Sequence, residues 1–279
     1  MSHLLRRASG ACLLAAATVV ASPASPPPDL AALPAVLAAY DTYGPFPAPN
    51  ASTVYLTVRS DRSNRWQWIA EVTWRDGSWS APRPLPFTHP SVSDRDPALA
   101  PDGRSLVFTS NRPTGAASPF TLWRSARTDR GWGEPEPVPG LEDVEGAKGP
   151  AMTADGVLFF SAPASAQDHA DLWTALPDTG GYGTPTRLGG LSSPGLDLDP
   201  WVSSSGDLLI FSSDRDSPDG DADLYLARRS GSGWSAPVRL PPSGVGVWDE
   251  TPALAPDLGL LLWSRGWGEL RVAALATPE

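Results

Sequence analysis

Acidic residues gather in front of a recurring proline. Asp41 precedes Pro45, Asp94 and Asp96 precede Pro97, Glu145 precedes Pro150, Asp197 and Asp199 precede Pro200, and Asp249 and Glu250 precede Pro252. If the fold brings these segments to one place, several carboxylates converge there. Repulsion and burial then raise some of their pKa values or recruit a cation. Two chemistries suit such a cluster: oxygen ligation of a hard metal such as Ca²⁺, and hydrolysis between an acid and a base carboxyl. A plainer use competes with both, because Asp also caps the amides of its own turn or pairs with an arginine such as Arg95.

A second acidic run, DRDSPDGDAD, carries Asp214, Asp216, Asp219, Asp221 and Asp223. As a metal loop it misses the EF-hand spacing by one residue and lacks the closing Glu, so a solvated turn explains it better. Asp223 also aligns with Asp171, which points to a structural role. His89 and His169 are too few for a histidine metal site or a proton relay. Trp201, Trp248 and Trp267 are placed to stack on a sugar or peptide, although packing accounts for most of the 12 tryptophans.

The elements that must position these residues come from self-comparison. The marker prolines Pro45, Pro97, Pro150, Pro200 and Pro252 are 52, 53, 50 and 52 residues apart. A period of this size signals a repeat architecture. Glycine follows six residues later as Gly103, Gly156 and Gly206, after Asp102, Asp155 or Ser205, which reads as a hairpin turn. Before each later marker stands an aromatic (Trp79, Trp132, Tyr182, Trp234) and then an aliphatic (Leu85, Val138, Leu188, Leu240), the signature of an outer strand. The third strands WQWIAEVTW, FTLWRSA, ADLWTAL, ADLYLARR and GELRVAAL lie between, their aromatics read as interblade packing.

Four short strands per unit, 32 Pro and 26 Gly predict an all-β, five-bladed β-propeller of four-stranded blades. The blades are expected at about 41–90, 91–140, 141–190, 191–242 and 243–279. The fifth unit ends without an outer strand. Leu33-Pro34 matches Leu85-Pro86 in register, so residues 29–36 are expected to supply the missing strand and close the ring. An Ala-rich helix or a linker is the alternative for this segment.

Residues 1–24 have the parts of a secretory signal: Arg6 and Arg7, then ACLLAAATVVA, then small residues ending at Ala21 or Ala24. A Pro-rich linker, 25–28, follows, and the propeller fills 29–279. Cys12 precedes most of the apolar stretch, which argues against a lipoprotein signal. Export to a periplasm or medium is expected, with no integral membrane segment after cleavage. A net charge of −10 excludes nucleic acid as a partner.

With the repeat in view, DPALAPDGRSLVFTSNRP, GPAMTADGVLFFSA and DPWVSSSGDLLIFSSDRD, each followed by an ADLW- or ADLY-like strand, resemble the TolB-type WD-repeat-like propeller family. The resemblance covers about residues 29–279. It implies the fold, and a role among periplasmic partners or beside hydrolase domains. The hydrolase half is not in this sequence, and neither is TolB's N-terminal α/β domain; TolB is usually described with six blades.

In such a propeller, the loops before the first strands meet at one mouth of the axial channel. Asp94, Asp96, Glu145, Asp197, Asp199, Trp201, Trp248, Asp249 and Glu250 are the candidate face there, expected to bind a protein, peptide or glycan, with Ca²⁺ as an optional ion and a monomer as the assembly. The alternative is a five-bladed glycosidase using Asp96, Glu145 and Asp199, since DRDP, LDLDP and the Glu145-Gly146 pair look like signatures of arabinanase-type enzymes. Those enzymes place the acid Glu after both Asp residues, whereas Glu145 precedes Asp199. Binding is the favoured reading.

Overall fold

The computed structural model describes residues 28–60, 66–113, 120–165, 168–241, 243, 246–266 and 268–275. The expected leader and Trp267 lie outside them. The chain is an all-β, five-bladed β-propeller. Each blade is an antiparallel meander whose first strand is innermost: Thr42–Pro47, Asp94–Leu99, Lys148–Met152, Asp197–Val202 and Asp249–Ala255. The second strands are Thr53–Arg59, Ser105–Ser110, Leu158–Pro163, Leu208–Ser213 and Leu260–Arg265, rich in β-branched, aromatic and leucine side chains buried on both faces.

Burial on both faces follows from the ring. Each sheet packs against its neighbours, and every interface has its own apolar core. Tyr55, Phe87, Phe108 and Trp123 fill the first junction, and Trp201, Ile210, Leu261 and Trp263 fill the fourth. The outer strands are split. In blade 1, Ser78–Trp79 and Arg83–Pro84 each pair separately with the third strand, and blades 2 and 4 repeat the break. Pro82, Pro135 and Pro237 sit in the gaps, where a missing N–H blunts the sheet edge.

The expected closing strand at 29–36 is corrected. Leu30–Ala32 is a 3₁₀ turn and Leu33–Leu37 a short α-helix, and the described fifth sheet has three strands. Alanines favour helix, Pro34 fits the first helical turn, and Leu30, Leu33 and Leu37 fall on one side. Those leucines are buried between Val54 and Val72 of blade 1 and Leu262 and Leu270 of blade 5. The Trp79 indole N–H donates to the Asp29 carbonyl at 2.7 Å. The segment therefore fills the junction between the first and last blades as a helical wedge.

Candidate functional site

Every innermost strand is bulged at its marker proline, the register slipping between Tyr43 and Phe46, Arg95 and Ala98, Lys148 and Ala151, Leu198 and Trp201, and Glu250 and Ala253. The residue before each proline is left-handed: Gly44 (φ 61°), Asp96 (52°), Gly149 (58°), Asp199 (51°) and Thr251 (53°). A residue before proline is ordinarily extended, and the left-handed state costs a non-glycine about 1–2 kcal/mol. Three non-glycines held this way around one axis mark a strained, built feature.

Hydrogen bonds between blades hold it. The Asp96 N–H donates to Thr57 Oγ1 at 3.0 Å, the Gly149 N–H to Thr109 Oγ1 at 3.2 Å, and the Asp199 N–H to Ser161 Oγ at 3.0 Å. The Gly44 N–H donates to both Thr251 Oγ1 and Ser264 Oγ at 3.2 Å. The fourth junction differs. There Ser212 Oγ is buried without a partner, and the Thr251 N–H serves the Asp199 carboxylate instead. The five residue–proline pairs surround a constriction of only about 30 Å³.

The bulge divides most of the predicted acids: Asp96 and Asp199 lie within it, whereas Glu250 still pairs with Ser264 ahead of it and takes the opposite face from Asp249 by alternation. Asp94, Asp197 and Asp249 lie before it and are buried in arginine clamps: Arg112 Nη2 to Asp94 Oδ2 at 2.7 Å, Arg215 Nη2 to Asp197 Oδ1 at 2.6 Å, and Arg265 Nε to Asp249 Oδ1 at 2.8 Å. Further donors occupy their oxygens, including Ser110 Oγ, the Ser193 N–H and the Trp263 indole. These three carboxylates are closed to a ligand.

Asp96, Asp199 and Glu250 instead interact with one another at the axis. Burial and then the Asp96 charge push Asp199 up to about 6, against the pull of Lys148 and Arg95. Burial and then Asp199 push Glu250 up to about 7, opposed by the Trp248 indole, whose N–H donates to Oε2 at 3.0 Å. Burial, with Asp96 second, drives the Tyr43 phenol well above its ordinary value. Its hydroxyl donates to Gln67 Oε1 at 2.5 Å, and the Arg59 guanidinium covers its ring at 4.0 Å. A cavity of about 560 Å³ opens here, lined by Tyr43, Arg59, Arg95, Asp221, Trp248 and Glu250.

Of the nine predicted residues, Asp96, Asp199, Trp248 and Glu250 are thus brought together. Glu145 is exposed and lines a separate groove with Asp143 and Trp173. Trp201 falls past the bulge, beside the constriction and at the opposite end of the channel. The run at 214–223 disperses: Asp214 accepts the Leu196 N–H, Asp216 the Tyr225 hydroxyl, and Asp223 pairs with Arg239, as Asp171 pairs with Arg187. Among the described residues, no three His, Cys, Asp or Glu side chains are grouped to hold a metal.

Sequence reasoning missed Tyr43, Arg59 and Lys148, and it named Arg95 only as a partner for Asp, which here is Asp96 at 3.5 Å. Two signals were there to find. Lys148 is the one lysine of the chain, and Thr57, Thr109, Ser161, Ser212 and Ser264 recur with the blade period.

No protein-family model matches the chain, and no curated protein sequence matches it. The likeness lies in solved folds. A protein described as a TolB from Agrobacterium tumefaciens superposes with a TM-score of 0.53 at 16% identity, over 84% of this chain and 76% of that one. A gluconolactonase from Xanthomonas campestris gives 0.52 at 15%, over 85% and 87%. An endo-arabinase from Bacteroides thetaiotaomicron gives 0.50 at 13%, over 87% and 97%. At these identities what is shared is the propeller.

Proposed function

We propose that the protein is an exported binding propeller whose mouth cavity takes the end of a glycan. The observation that carries this reading is a concave cavity of about 560 Å³ in which Trp248 and Tyr43 stand beside charged groups from several blades. That volume is in the range of small-ligand pockets. Carboxylates and arginines supply acceptors and donors for hydroxyls, and the half-buried Trp248 ring suits a sugar ring. A flat protein partner would not use such depth. Titration calorimetry against a panel of oligosaccharides tests the reading, with micromolar to millimolar binding expected and lost in Trp248→Ala; a cavity that takes only peptides, or nothing, overturns it.

Glycoside hydrolysis is a second reading, favoured by one observation. Glu250, not Glu145, joins Asp96 and Asp199, so the acid Glu follows both Asp residues along the chain. With a carboxyl pushed up to about 7, Glu250 retains its proton near neutrality and suits the general acid that protonates a leaving oxygen. Asp96, beside it at the axis, would then be the base that takes the proton of the attacking water. Turnover of arabinan or xylan, lost in Glu250→Gln with binding retained, would establish it.

Export rests on the leader-like residues 1–24 alone. N-terminal sequencing of protein secreted from a bacterial host should find cleavage after Ala21 or Ala24. Among the described residues, no helix is long and apolar enough to cross a membrane.

A further inference from the structure

The constriction makes the channel two cavities. About 30 Å³ between the proline pairs has room for little more than a water. A ligand at the mouth therefore has no passage to the other end. That end holds its own cavity of about 390 Å³, whose walls include Phe46, Leu99, Met152, Trp201 and Leu254. Among the described residues its lining differs from that of the mouth, with no arginine and a single acid. Apolar walls replace the carboxylates, and acid appears only at the lip.

The lip is built by the turns between first and second strands. Asp257 lines the cavity directly. Asp207 accepts from Ser203 Oγ and Ser205 Oγ, both at 2.6 Å, and these two lining hydroxyls hold its carboxyl below the ordinary range. Asp102 is exposed next to the lining Pro101. The Arg104 backbone N–H donates to Asp102, and the Arg228 charge acts on Asp207. Aromatic and thioether walls beneath ionised carboxylates complement a body that is apolar at one end and cationic at the other.

We infer that this lower cup is a second ligand site, separate from the mouth, for a small organic amine with an apolar body: the body seats against Trp201 and Met152, and the ammonium meets Asp257. This does not depend on what the mouth binds.

Titration calorimetry and ligand-observed NMR on the full chain would test it, using 2-phenylethylamine with phenylacetate and 2-phenylethanol as charge controls. The amine should bind roughly tenfold more tightly than either control, a difference of about 1.4 kcal/mol. Asp257→Asn should remove most of that preference. Met152→Lys, which places a cation in the cup, should abolish amine binding, while Glu250→Gln should leave it unchanged. Equal binding of the three probes, or an unaltered preference in Asp257→Asn, would overturn the assignment. So would a site that ignores all three and takes only basic peptides.

Discussion

Asp197 and Asp199 are two residues apart in one Asp-x-Asp-Pro segment and do opposite things. Asp197 is fully enclosed by Arg215, the Leu191 loop and the Ser193 amide, its charge matched at 2.6 Å. Asp199 is half-buried and faces Asp96 and Glu250, so its charge is opposed. Only Leu198 stands between them, and Asp199 is itself the left-handed residue. The difference teaches that the first carboxylate locks the blade's entry loop while the second is held available at the axis, at a cost to stability.

The largest break in this comparison is Asp197→Ala. It strands a guanidinium that is only 14% exposed, and chemical denaturation should show a loss of about 3–5 kcal/mol. Next is Gly149→Ala, which strikes the axial side through backbone. A Cβ there would lie 2.8 Å from Asp199 Oδ1 and 3.0 Å from its Cα, at a φ of 58°. Left-handed strain alone costs about 1–2 kcal/mol, so a destabilisation of about 2 kcal/mol or more is expected, accompanied by weaker ligand binding at the mouth.

Asp199→Asn should act in the other direction. Because the folded-state values of Asp199 and Glu250 are raised to about 6 and about 7, the native state holds protons that the unfolded chain releases near 4. The contribution of these two groups is therefore fully present below that unfolded range and is lost as pH rises through about 7. Melting curves from pH 4 to 8 should show the decline, flattened in Asp199→Asn and in Glu250→Gln, with both variants more stable than the parent at the alkaline end. The smallest effect belongs to Glu136→Gln. Its pair with Arg124 is 62% and 40% exposed, and a change below about 1 kcal/mol is expected.

The period, the turns and the aromatics of the interblade cores were legible because each position repeats, and a repeat exposes what packing demands. The split of the acids was not. Alternation along a strand flips its faces, but a bulge resets that count, and no local residue preference announces five left-handed positions before proline when three are Asp, Asp and Thr. Glu145 entered the candidate set because blade 3 carries Ala147 where its neighbours carry a clamping Asp. Trp201 was placed with the acids, yet it is one residue beyond Pro200 and so lies across the constriction. The closing segment misled for another reason: Leu33-Pro34 matches the outer-strand pattern, while the flanking alanines and the spacing of Leu30, Leu33 and Leu37 answer to helical packing.

That helical wedge sets the order in which the molecule can be finished. Leu30, Leu33 and Leu37 are among the earliest described residues, and their pocket is completed by Leu262 and Leu270 near the other end of the chain. During synthesis the wedge has only the blade 1 half of its seat until the fifth blade exists. Blades can form in succession, each on the face of the one before, but the ring locks only in a single late event joining the extremes of the sequence. Before that event, the buried faces of the first and last blades are open to solvent, and to the blades of a second chain.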